Sequence, residues 1–183
     1  MGLLSGFYGG IVDTVIMALV EIQSAFPFIL LAIAIIAVLG TSLTSLLIVV
    51  SLSGWVIYAR VVRAQVLSLR ECEFIEAARV VGSTDRRILL RHILPQLIAP
   101  ITVIATLEVA RIIVLESSLS FLGLGVQPPA VSWGLILGDG RLYLTNGWGI
   151  STFSGITLLV AVLSINIIGE SLSEIIDPAL RRI

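Results

Sequence analysis

The stretch FPFILLAIAIIAVLGTSLTSLLIVVSLSGWVIY, residues 26–58, holds no Asp, Glu, Lys, Arg or His. A helix needs ~20 predominantly apolar residues to cross a hydrocarbon core ~30 Å thick. Phe26 to Leu39 supplies one such segment, which lengthens backward through Ile16 to Ile22 if Glu21 is taken in. Thr41 to Tyr58 supplies a second. Between them stand Gly40 and the polar Thr41, Ser42 and Thr44, which fit a tight turn at the far membrane face. The stretch predicts a transmembrane helical hairpin.

Two further apolar segments lie beyond it. One begins near Leu97 and runs to about Val114, with Pro100, Glu108 and Arg111 inside; the other, Thr152 to Ile168, is cleaner. Apolar residues are 57% of the 183 and charged residues 13%, about half the ~25% charge usual in soluble domains. The expected fold is all-α, a polytopic transmembrane helical bundle with about four full spans plus an N-terminal remnant. Residues 1–183 read as one membrane domain without a soluble appendage. The opening MGLLSGFYGGIVD lacks the basic region and small-residue cleavage site of a secretory signal.

Composition also excludes function classes. A net charge of −1, with no tract alternating basic and aromatic residues, gives no case for nucleic acid. One cysteine, Cys72, and one histidine, His92, leave no internal disulfide and no Cys/His metal cluster, so no metal or other cofactor is expected. The chain has no lysine and no GxxxxGK[ST], so it cannot bind ATP as a P-loop does. Neither HExxH nor paired intramembrane aspartates suggest an intramembrane enzyme.

Arginine sets the orientation, because loops that stay in the cytoplasm keep positive charge. Of 11 basic residues, Arg60, Arg63, Arg70, Arg79, Arg86, Arg87 and Arg91 lie between the second and third spans. Residues 60–96 are therefore expected to be a cytoplasmic loop. Ser117 to Ser151 carries only Arg141 and falls outside; Arg181 and Arg182, after the Asp177-Pro178 stop, fall inside. Gly123, Gly125 and Pro128-Pro129 argue against a regular helix from Ser117 to Trp133.

Within the cytoplasmic loop, EFIEAARVVGSTDRRILLRHILP, residues 73–95, reads as two short helical segments separated by Gly82, with Ser83, Thr84 or Asp85 to cap the second. Ala77 and Ala78 give a low-profile face that can press into a groove, Glu76 offers a charge, and Gly82 permits a sharp exit. On these features alone the segment is either a docking helix or an ordinary amphipathic juxtamembrane loop.

The residues carry a resemblance that separates these readings. Glu76-Ala77-Ala78, three residues, Gly82, nine residues, then His92-Ile93-Leu94-Pro95 resembles the EAA motif of ABC importer permeases, with His92 where the general motif has isoleucine, a form found in the peptide-permease subfamily. GFYGGIVDTVIM, FPFILLAI, WVIYARVVRAQVLSLRE, SSLSFLGLGVQPPAVSWG and IDPALRR resemble segments of dipeptide and oligopeptide permeases, in order along nearly the whole chain. The resemblance implies a type I ABC importer permease with an ATPase-coupling site at Glu76, Ala77, Ala78, Gly82, Leu94 and Pro95. It also implies partners: ATP-binding cassette ATPase subunits, a second homologous permease, an extracytoplasmic substrate-binding protein and the lipid of a bacterial or archaeal plasma membrane. Members of that family have about six spans, so the sequence looks N-terminally truncated by roughly a third, which makes a non-functional short form an alternative. Nickel or glutathione are alternative cargoes, and a channel or scaffold is an alternative class.

Glu108 and Arg111, three apart in the third span, can share a helix face, and pairing would offset part of the ~2.5–3.5 kcal/mol assigned to a central charge. They are expected to face the bundle interior, either lining the translocation path or locking helix packing.

Overall fold

Pro27 lacks a backbone N–H and drives the residue before it out of helical geometry. In the computed structural model, which describes residues 1–176, Phe26 accordingly sits at φ −90° and ψ 130°. The chain breaks there between α2 (Gly10–Ala25) and α3 (Phe28–Leu39). The expected backward extension of the first span is thus a broken helix pair. Ahead of it a short α1 (Gly2–Tyr8) occupies the region read as an N-terminal remnant.

The hairpin turn falls at Gly40-Thr41-Ser42, as its polar residues predict, and α4 (Leu43–Leu69) follows. This helix does not stop at Tyr58. Arginine propagates a helix well, so Arg60 and Arg63 end the apolar window without ending the helix. After α5 (Glu73–Val80), helix α6 (Asp85–Phe121) begins well before the expected Leu97. Its second turn, Ile88–Ile93, is π-helical. Pro95 follows after one intervening residue, and its ring would press on the carbonyl four residues earlier; widening the preceding turn relieves that contact. The second short segment expected after Gly82 is therefore the start of the third span.

Ser117 to Phe121 are helical, contrary to the reading that glycines and prolines downstream exclude helix there. The exit comes at Gly123, where its N–H reaches the Ser120 carbonyl and the Leu124 N–H reaches Leu119. A short α7 (Trp133–Gly140) then starts on Ser132, whose Oγ accepts the Leu135 N–H at 3.2 Å. The last helix is α8 (Gly149–Ile176). Asp177-Pro178 and Arg181-Arg182 lie outside the described residues.

Among the described residues, α4, α6 and α8 are long and apolar enough to cross a membrane, and the broken α2/α3 pair makes a fourth if it is counted as one span. Only 28, 17 and 6% of their apolar windows is buried. Apolar surface left uncovered on that scale needs lipid or another protein as its solvent.

The chain forms two compact units. One comprises Met1–Pro27 with Ser53–Thr102, built on Phe7, Val66, Ile75, Ile88, Ile93 and Leu97. The other comprises Phe28–Leu52 with the chain from Val103 onward, built on Ala32, Ile36, Leu46, Val49 and Leu119. In the second unit α7 packs on α8. The backbone of Gly134 lies against that of Ser117, and a Cβ there would overlap the Ser117 carbonyl oxygen.

Candidate functional site

Helix α5 is seated on one fully buried side chain and ended by one glycine. Ile75 is fully buried among Phe7, Val66 and Ile88. Glu73 and Glu76 occupy the first turn, where carboxylates complement the helix dipole. At the other end, Gly82 takes φ 81°; its N–H reaches the Arg79 carbonyl at 2.9 Å and the Ser83 N–H reaches Ala78 at 3.0 Å. These two hydrogen bonds form a Schellman exit, whose C′ residue is left-handed and favours glycine. Val80 and Val81 are thereby left 88% and 85% exposed, beside an exposed Phe74.

The exit folds α5 against the start of α6 and leaves a cavity of about 500 Å³ lined by Phe74, Ala77, Ala78, Val81, Gly82, Ser83, Arg87, Arg91 and His92. Of the six residues expected to act together, the structure places Ala77, Ala78 and Gly82 on this cavity. Glu76 is exposed on α5, and Leu94 and Pro95 are exposed in α6, off its wall. Arg87 and Arg91 enter the site although sequence reading used them only for orientation. Their i, i+4 spacing puts both on one face of α6 but does not say which element that face meets.

A second cluster was missed. Asp13 on α2 accepts two hydrogen bonds from Arg63 on α4, at 2.5 and 2.6 Å, and one from the Ser5 hydroxyl at 2.5 Å. Arg70 donates to the Gly6 carbonyl at 3.1 Å, and the Arg79 guanidinium lies 5.8 Å from the Phe7 ring centre. The N-terminal helices are thus tied by arginines to α4 and α5. Asp13 and Arg63 lie 50 residues apart, and no local pattern announces such a pair.

In the other unit, Glu108 and Arg111 pair as expected. Arg111 Nε donates to Oε1 at 2.9 Å, and its Nη2 donates to Oε2 at 3.0 Å. The Glu108 side chain is 7% exposed and that of Arg111 41%. A cavity of about 470 Å³ opens beside Arg111, lined by Ile29, Leu107, Ala110, Val114, Leu115, Ser118, Val162 and Asn166. Nearby, Glu116 accepts from the Ser120 hydroxyl at 2.6 Å. Among the described residues no group of His, Cys, Asp and Glu could hold a metal ion.

Known proteins resemble this arrangement over nearly its whole length. The family model of the binding-protein-dependent transport system inner membrane component matches residues 1–182. A dipeptide transport system permease protein of Alkalihalophilus pseudofirmus is 42% identical over 181 residues, which is 99% of this chain and 60% of that protein. A glutathione transport system permease protein of Escherichia coli is 40% identical over 175 residues, 96% of this chain and 58% of that protein. The chain therefore spans about 60% of the length of these curated relatives. Its fold is similar to a chain of the inward-facing MetNI methionine ABC transporter, with a TM-score of 0.71 at 21% identity over 96% of this chain and 84% of that one.

Proposed function

The chain belongs to the family of inner membrane components of binding-protein-dependent transport systems, and on that premise we propose that it is a permease subunit of an ATP-driven peptide importer. A separate ATPase subunit docks on α5 and supplies the energy, a second permease completes the pathway, and an extracytoplasmic binding protein delivers the cargo. The working membrane is the bacterial or archaeal inner membrane, with residues 60–96 on the cytoplasmic side.

The observation that carries the coupling role is the end of α5. A short helix with a two-alanine face, an exposed Glu76 and two bare valines is held to the membrane helices by Ile75 and turned by a Schellman exit at Gly82. An apolar helix end left uncovered at an aqueous face is built for a partner. Ile75 anchors it to α4 and to the start of α6, so a displacement of the docked partner reaches two long helices directly.

Peptides are the favoured cargo because the dipeptide permease relative is 42% identical; glutathione, itself a peptide, is the second reading, favoured by the Escherichia coli relative. The test is uptake of a radiolabelled dipeptide by cells carrying the transporter genes, with Glu76→Lys as the variant. Uptake is expected to fall to background while the amount of chain in the membrane fraction is unchanged. Normal uptake by Glu76→Lys removes the coupling assignment.

A further inference from the structure

The exposed half of the Glu108–Arg111 pair constrains which way its helix faces. Arg111 stands in α6 ten residues before Phe121, about 15 Å along the axis at 1.5 Å per residue, so it lies well inside the apolar window. Its side chain is 41% exposed. A guanidinium open to hydrocarbon at that depth is strongly disfavoured, so charged groups in spans face protein or water-filled cavities. The face bearing Arg111 is accordingly turned from lipid, and that face is concave.

The chemistry of the concavity is that of a ligand site. Its volume, about 470 Å³, falls within the ~300–1,000 Å³ of small-molecule pockets, which are mostly apolar with a few convergent polar groups. Leu107, Val114, Leu115 and Val162 supply the apolar wall, and Arg111 and Asn166 supply the polar groups, the Ser118 hydroxyl donating to the Val114 carbonyl at 2.7 Å. Glu108 is buried beneath the guanidinium, so the group offered to the cavity is a cation whose charge is already partly balanced. A fully unpaired arginine would hold a carboxylate tightly. A transport pathway needs binding weak enough to release, and a pre-neutralised arginine meets that need.

We propose that this cavity is a transient subsite on the translocation path, at which Arg111, with Asn166 beside it, receives the C-terminal carboxylate of the peptide while its side chains rest on the apolar wall. The inference rests on the peptide-importer reading above and adds where in the chain the cargo is touched. A peptide with a free carboxylate is the ligand class; a second permease helix filling the same cavity is the competing occupant.

The test is photolabelling of the assembled transporter in proteoliposomes, driven by ATP. The probe is a dipeptide with a free carboxylate and a diazirine side chain, and labelled residues are mapped by mass spectrometry. Label is expected within residues 107–118 and 162–166, displaced by unlabelled dipeptide. Arg111→Gln should lower its yield about tenfold, the loss of roughly one charge-assisted hydrogen bond. Asn166→Leu, which unpairs no charge, should lower it as well and guards against a folding defect in the first variant. Label elsewhere with normal uptake, wild-type yield in both variants, or label found only on the second permease overturns the subsite and leaves the importer reading standing. Wild-type transporter without peptide uptake overturns both.

Discussion

Gly82 can be altered without touching a neighbour, which makes it a clean probe of the loop. A Cβ built there meets nothing within 4 Å, so the only penalty is the left-handed backbone at φ 81°. That penalty is about 1–2 kcal/mol for an ordinary L-residue, less for Asn and more for a β-branched side chain. One to two kcal/mol corresponds to a factor of about 5–30 in the population holding the Schellman exit. The series Gly82→Asn, Gly82→Ala and Gly82→Val should therefore weaken ATPase binding progressively, by up to about 30-fold for Ala and further for Val. The assay is titration of the purified ATPase subunit onto the permease pair in nanodiscs, with dipeptide uptake measured in parallel. The order Gly, Asn, Ala, Val is the signature of a backbone requirement. Val equal to Gly, or Asn as damaging as Val, would refute it.

Other consequences follow from the same geometry. Asp13→Asn and Arg63→Gln should each destabilise the detergent-solubilised protein, and a double-mutant cycle by thermal unfolding should return a coupling of about 0.5–3 kcal/mol, since the pair shares two hydrogen bonds and is largely shielded from solvent; strict additivity would mean the pair is not formed. Gly134→Ala places a methyl on the Ser117 carbonyl, where backbone cannot step aside, so folded yield should drop sharply by size-exclusion chromatography. Gly155→Ala, whose Cβ meets nothing nearer than the Leu137 side chain at 3.8 Å, should behave as wild type.

What the sequence revealed and what it hid have separate physical causes. Hydropathy measures the thickness of the membrane, so the apolar windows of α4, α6 and α8 were legible. Helix ends are set by backbone hydrogen bonding, which hydropathy does not see. The arginines after Tyr58 therefore looked like the start of a loop although α4 runs on to Leu69, and Asp85 looked like the start of a short segment rather than of α6. Proline had two outcomes: Pro27 breaks its helix, whereas Pro95 follows a π-helical turn that absorbs it. The turn at Gly82 was readable because its chemistry is local. So was the Glu108–Arg111 pair, at i, i+3. The Asp13–Arg63 pair and the gathering of Arg87, Arg91 and His92 around the α5 cavity depend on which helices meet, which spacing along the chain does not encode.

The central claim is that α5 and its exit at Gly82 form the seat of an ATPase subunit. Expressing the chain with its neighbouring transporter genes, extracting membranes in mild detergent and purifying through a tag on this chain tests that directly. The account predicts that an ATPase subunit and a second permease co-purify with the wild-type chain, and that Glu76→Lys combined with Gly82→Val removes the ATPase while the second permease stays. An ATPase that remains bound to the double variant at the wild-type level would contradict it.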